Sequence, residues 1–104
     1  MPFFFCRLNP PRATFASDMS DEEKATMTKH VAFWTEKARE GISVVFGPVA
    51  DREGFYGIGV YKVKDEEEMR QLLEQDPAKQ ILTYVVQPMV RAVVGHEVRY
   101  PDLP

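Results

Sequence analysis

The stretch Ser20–Gly41, SDEEKATMTKHVAFWTEKAREG, constrains the fold most. It reads as the one long helix of the chain, and the other segments must supply what covers it. Ser20 with Glu23 three residues on is a capping box, which satisfies two of the free N–H groups at a helix start. Asp21, Glu22 and Glu23 place negative charge at the positive end of the helix dipole. Met27, Val31, Trp34 and Ala38 recur at helical spacing and predict the buried stripe. At about 100° per residue, His30 falls roughly 70° from the centre of that stripe, at its rim. It is one turn from Trp34 and close to Phe33. Gly41 is suited to the left-handed residue that ends a helix.

The flanking segments read as strands. Phe3–Leu8 is short and aromatic and ends at Asn-Pro-Pro. Phe3, Phe5 and Arg7 share one of its faces and Phe4, Cys6 and Leu8 the other. Asn9–Asp18 is a loop stiffened by Pro10 and Pro11, holding Arg12 and Phe15. Ile42–Val49 is nearly continuous in apolar residues, which predicts a central strand buried on both faces. Asp51–Gly54, DREG, is a turn. It makes Phe55–Val63 the antiparallel partner of Ile42–Val49. Gly57 and Gly59 lie on one face of that strand and leave room for another group. Asp65–Gln75 is a second helix, capped by Asp65, with Met69, Leu72 and Leu73 as its apolar face. Asp76-Pro77 opens a new turn. Leu82–Gln87 is a fourth strand, interrupted at Pro88. Met89–Val94 is a candidate edge strand, and Gly95–Pro104 a weakly structured tail.

The order is βαββαβ. It predicts an α+β, ferredoxin-like fold with a four-stranded antiparallel sheet and two helices on one face. The chain of 104 residues reads as a single domain with its core at about 3–88 and an extension at 89–104. The helices cover only one sheet face, yet the first two strands are apolar on both. An exposed apolar face on so small a domain predicts a partner, and two sheets packed face to face make a homodimer with enclosed space. With a net charge of −3 and scattered Lys and Arg, there is no basic stripe, so nucleic acid is not an expected partner. No apolar run approaches a membrane span, and the apolar start is too short for a signal sequence. The single cysteine forms no internal disulfide, which fits a reducing compartment, so a cytoplasmic protein is expected.

Several pieces together resemble the YCII-related proteins of the dimeric α+β barrel superfamily. They are CRLNPPRATFASDM at Cys6–Met19, EEKATMTKHVAFW around His30, VVFGPVAD at Val44–Asp51, GFYGIGV at Gly54–Val60, and the Asp76-Pro77 pair. The resemblance covers roughly Phe3 to Pro88. It implies the same dimeric fold and a site in which His30 pairs with Asp76. One related member acts as a dehydrochlorinase on a chlorinated hydroxyhydroquinone, and muconolactone isomerase is a more distant barrel relative. Ile81 and Leu82 stand where many relatives have a glycine-rich stretch.

The chemistry this pattern allows is proton movement. A histidine titrates near neutrality, and a carboxylate on one ring nitrogen fixes its tautomer. The plainer reading makes His30 a boundary residue of the core and Asp76 a turn cap. Arg7 and Arg12 are candidates to hold an anionic substrate, since a guanidinium fork binds carboxylates and phenolates at two points. Equally, Arg7 pairs with an acid at the dimer interface and Arg12 is solvated. Phe15, Gly47 and Pro48 are candidates for the pocket mouth. Trp34, Phe33, Phe5 and Tyr84 suit either an aromatic-accepting cavity or a plain core. Cys6 is expected to be buried and inert. His30 and His96 are the only histidines, without a ligand-spaced cluster, so no metal and no other cofactor is expected. Two functions remain open: a cofactor-free enzyme performing an isomerisation or an elimination on a small aromatic or lactone-like acid, and a non-catalytic module that binds a small molecule.

Overall fold

Strand β1, Phe3–Asn9, is one of the two central strands of the sheet in the computed structural model, which describes residues 2–95. Its alternation sends Phe4, Cys6 and Leu8 into the core and leaves Phe3, Phe5 and Arg7 on the opposite face. A short helix, α1 (Phe15–Asp18), follows the Pro-Pro loop, and then the long helix α2 (Asp21–Arg39). Strands β2 (Ser43–Val49) and β3 (Tyr56–Lys62) form the hairpin, followed by helix α3 (Glu66–Gln75) and strand β4 (Thr83–Pro88). The sheet is antiparallel in the order β2-β3-β1-β4, the ferredoxin-like arrangement that the element order predicts.

The ends of α2 obey their local chemistry. The Ser20 side chain accepts from the Glu23 N–H while the Glu23 carboxylate accepts from the Ser20 N–H, a complete capping box. At the other end Gly41 adopts φ 82°. The Ile42 N–H reaches Lys37 O at 2.9 Å and the Gly41 N–H reaches Ala38 O at 3.0 Å, the paired bonds of a Schellman stop. In the hairpin turn, Asp51 Oδ1 accepts from the Glu53 N–H at 2.8 Å. Asp65 caps α3 by accepting from the Glu68 N–H at 2.9 Å.

The core is one cluster on one face of the sheet. Trp34 from α2, with Met69, Leu72 and Leu73 from α3, packs with Phe4, Cys6, Leu8 and Tyr61. The opposite face has no covering element among the described residues. It carries Phe3, Phe5, Val45, Ile58, Val60 and Val85, with Val45 50% and Val85 46% exposed.

Four expectations change. The buried residues of α2 are His30 and Trp34, so Trp34 holds its expected place while His30 moves from the rim to the buried stripe, and Val31 is 47% exposed. A polar side chain sits in the stripe because its partner waits in the core, as described below. Strand β2 is an edge strand rather than a central one. Its apolar residues Val44 and Val45 are exposed, so its continuous hydrophobicity does not come from burial inside this chain. Helix α1 stands where only a loop was expected. Residues 89–95 form no strand, although the Met89 N–H still bonds Phe3 O at 2.9 Å. The rest of the expected tail, 96–104, lies outside the described residues. No helix among the described residues is long and apolar enough to cross a membrane.

Candidate active site

Helical spacing stacks His30 and Trp34 one turn apart on the inner side of α2. From the far side of the sheet face, α3 ends at Asp76, whose extended backbone turns the chain into Pro77 and Ala78. Asp76 caps that turn: its Oδ1 accepts from the Ala78 N–H at 2.8 Å, and its carbonyl accepts from the Lys79 N–H at 3.0 Å. The same carboxylate meets the helix. His30 Nδ1 lies 2.8 Å from Oδ1 and 2.9 Å from Oδ2. The indole Nε1–H of Trp34 donates to Oδ2 at 3.0 Å, and the hydroxyl of Tyr84 on β4 donates to Oδ2 at 2.9 Å. Four donor groups, two from α2, one from the turn and one from β4, thus converge on one carboxylate, which is only 3% exposed. Cap and histidine partner are one residue, so the two readings of Asp76 hold together.

Electrostatics fix the protons. Burial alone would push the Asp76 carboxyl up, but the hydrogen bonds from His30, the Ala78 N–H and Trp34 outweigh it and hold the group below its ordinary value. Burial and the neighbouring Asp76 charge push the Tyr84 phenol up, so it stays a donor. An ionised carboxylate only accepts. The hydrogen between His30 and Asp76 therefore sits on Nδ1. In the neutral ring this leaves Nε2 as the basic atom, and Nε2 has no hydrogen-bond partner among the described residues.

His30 is part of the wall of a cavity of about 220 Å³. Val31 and Trp34 stand beside it on α2; Phe15 from α1, Phe46, Gly47 and Pro48 from β2, and Tyr56, Gly57 and Tyr61 from β3 complete much of the lining. Almost all of that wall is apolar, and no Lys, Arg, Asp or Glu belongs to it. Among the described residues no three His, Cys, Asp or Glu side chains gather as metal ligands. Cys6 is fully buried, and burial followed by the Asp76 charge pushes its thiol up to about 12, so it is a core residue and not a nucleophile.

The fold brings His30, Asp76 and Trp34 together and puts Phe15, Gly47 and Pro48 on the same cavity. It separates the two arginines from it. Arg7 is on the opposite sheet face, its guanidinium 3.7 Å from the Tyr56 ring centroid and its Nε donating to Asn9 at 2.8 Å. Arg12 spends its donors on the surface, forking onto Glu23 at 2.8 and 2.9 Å and reaching Asp18 at 2.8 Å. Phe5 also lies on the opposite face, and Phe33 packs edge-on against Trp34 at 4.9 Å outside the cavity wall. Two tyrosines carry more than the sequence suggested. Tyr84 is a donor to Asp76, and Tyr61 lies against Trp34 with ring centroids 4.5 Å apart. Strand alternation alone places Tyr84 on the inner face with Val86; its bond to Asp76 depends on the turn between them.

The family model described as the YCII-related domain matches residues 3–91. The chain belongs to the YCII-related family. Among solved structures it is similar to a 5-chloro-2-hydroxyhydroquinone dehydrochlorinase from Burkholderia phenoliruptrix AC1100, in complex with 2,5-dihydroxybenzoquinone. That match has 13% identity and a TM-score of 0.57, covering 81% of this chain and 90% of the other. A cofactor-independent oxygenase from Streptomyces nogalater matches with 17% identity and a TM-score of 0.45, covering 97% of each chain. At such identities the first likeness speaks to the fold, which is the ferredoxin-like one described above. Comparison with curated proteins gave no match.

Proposed function

We propose that this YCII-related protein is a cofactor-free enzyme that moves a proton on a small aromatic or lactone-like substrate. The observation that carries this reading is the buried His30–Asp76 pair, whose bond at Nδ1 leaves Nε2 for the cavity. His30 Nε2 removes a proton from an acidic C–H or O–H of the bound ligand. Asp76 offsets the charge that forms on the imidazole and keeps the ring from turning. Return of that proton to another carbon is an isomerisation. Departure of an anionic leaving group, as the C–H electron pair becomes a new double bond, is an elimination. The dehydrochlorinase to which the fold is similar supports the second outcome as a class to test first.

A second reading, a binding module without chemistry, is favoured by one observation: Asp76 is saturated with donors, as a structural brace would be. Screening small hydroxylated aromatics and lactones by thermal shift identifies ligands, because binding raises apparent stability. On any turned-over ligand, His30→Ala is expected to lower kcat by roughly 10²–10⁴-fold while the ligand still binds. Unchanged kcat in that variant would leave the binding reading in possession of the site.

The reading includes a homodimer formed through the bare sheet face and a cytoplasmic setting. Supporting the first is the apolar surface of Phe3, Phe5, Val45, Ile58, Val60 and Val85, which no element among the described residues covers. Arg7, on that face, would then meet the second copy rather than the substrate. Sedimentation equilibrium is expected to give twice the chain mass; a monomer at micromolar concentration speaks against this part of the reading.

A further inference from the structure

The wall of the His30 cavity carries no fixed charge. Its titratable side chains are His30, Tyr56 and Tyr61, and no Lys, Arg, Asp or Glu belongs to it. The cations nearest in the chain are committed elsewhere. Arg7 lies over the Tyr56 ring and bonds Asn9, and Arg12 forks onto Glu23 and reaches Asp18. On α2, Lys37 reaches Glu40, and Lys24 and Lys29 stay off the wall. One charge does stand close behind that wall. Asp76 is buried and ionised, and its two oxygens lie 2.8 and 2.9 Å from His30 Nδ1. A ligand at Nε2 therefore faces this carboxylate across a single imidazole ring. A carboxylic acid arrives ionised at neutral pH, so it would bury a second negative charge next to the first. A protonated ring offsets one of the two and leaves the other bare.

We propose that the cavity takes its ligand uncharged, as a weak oxygen or carbon acid such as a phenol, an enol or a cyclic ketone, and rejects carboxylates. The assignment rests on the proton-transfer reading of His30 and narrows its substrate class. The aromatic or lactone-like acid expected from the sequence keeps its ring and loses its carboxylate. A phenol or ketone enters without charge at neutral pH. When its O–H or C–H bond breaks, the hydrogen goes to Nε2 as a proton and the electron pair stays on the ligand. The charge of ligand, ring and carboxylate together is then the same as before the step, so the apolar wall has no added charge to accommodate. Selectivity of this kind comes from what the wall lacks, so a cation added to the wall should undo it. Met27 and Val31 both line the cavity from α2, the first half-buried and the second 47% exposed.

The test titrates 2-naphthol and 2-naphthoate calorimetrically against the full chain at neutral pH, in the wild type and in Met27→Lys, Val31→Lys and His30→Ala. The wild type is expected to bind 2-naphthol at least roughly tenfold more tightly than 2-naphthoate. Met27→Lys should cut that preference roughly tenfold. Val31→Lys, whose ammonium is screened by water, should cut it about threefold. The second lysine replaces an exposed helical valine, so it keeps the test open should the first variant not fold. His30→Ala should weaken 2-naphthol roughly fivefold to tenfold, through the lost bond at Nε2. Equal affinity for the two probes in the wild type, or a preference that neither lysine reduces, overturns the uncharged class alone, provided that His30→Ala still weakens 2-naphthol. An affinity for 2-naphthol unchanged in His30→Ala overturns the proton-transfer reading beneath it. Binding of neither probe by the wild type overturns both.

Discussion

Asp76 and Glu23 each gather several donors, one within the core and one on the surface. Asp76 takes His30 and Trp34 from α2, more than 40 positions away, with Tyr84 from β4 and the Ala78 N–H of its own turn. Glu23 takes the Arg12 fork and the Ser20 N–H, both local to the start of α2. Both carboxyls are held below their ordinary values. For Glu23, the hydrogen bonds from Arg12 and Ser20 bring it to about 2. The difference lies in what water does. Around Glu23 and Arg12, solvent and salt screen the pair, and the lost donors find water when one partner goes. Around Asp76, removal of the carboxylate strands several buried donors at once. Hydrogen bonds gather at both carboxylates, but burial separates the two sites and points to Asp76 as the organiser of the site.

The sharpest way to break this contrast is Asp76→Ala. Stranding His30, Trp34 and Tyr84 is expected to cost about 3–5 kcal/mol, enough to leave much of a small domain unfolded, as urea titration would read. Asp76→Asn is expected to cost less and to stay folded, because its remaining oxygen still accepts while its amide N–H₂ faces donors. A cost near zero for either would make the cluster a bystander.

Acid comes next. The folded carboxyl of Asp76 sits below the ordinary carboxylate value, so its contribution is present above that value and disappears as pH falls through the folded value. Wild-type stability should therefore drop steeply below about pH 4. In Asp76→Asn that limb should flatten, and added salt should change it little. Glu23 contributes in the same direction, but its share should shrink with salt.

The smallest expected effect is that of Arg12→Ala. Its fork is exposed, so the melting temperature should fall by a few degrees at most, and ligand binding should be unchanged because Arg12 does not line the cavity. A large loss of binding would mean that the loop carrying Arg12 and Phe15 controls the cavity more directly than the contacts show.

What was legible in the sequence follows the range of each interaction. The ends of α2 were readable, because a capping box and a terminal glycine act within a few residues. The element order implied the sheet. The edge position of β2 was not readable from its own composition, because an apolar strand looks alike whether its cover is the same chain or another. The placement of Arg7 was available from strand parity: it faces away from Cys6 and Leu8, whose side holds the cavity. The Arg12 pairing was also within reach, since Asp18 and Glu23 are near neighbours along the chain. His30 and Asp76 are separated by 46 positions, and only resemblance to the family joined them beforehand. The roles of Tyr84 and Tyr61 depended on a turn and on a glycine opposite a ring, which spacing alone does not reveal.

The account depends most on the state of one ring. Nitrogen NMR of protein labelled with ¹⁵N-histidine, at a pH where the neutral imidazole is populated, reports which nitrogen of His30 carries hydrogen. The account predicts the hydrogen on Nδ1, an unprotonated Nε2 whose resonance moves when 2-naphthol is added, and loss of this preference in Asp76→Asn. A neutral ring with its hydrogen on Nε2, or an Nε2 indifferent to ligand, would contradict the claim that Asp76 presents His30 to the cavity as a base.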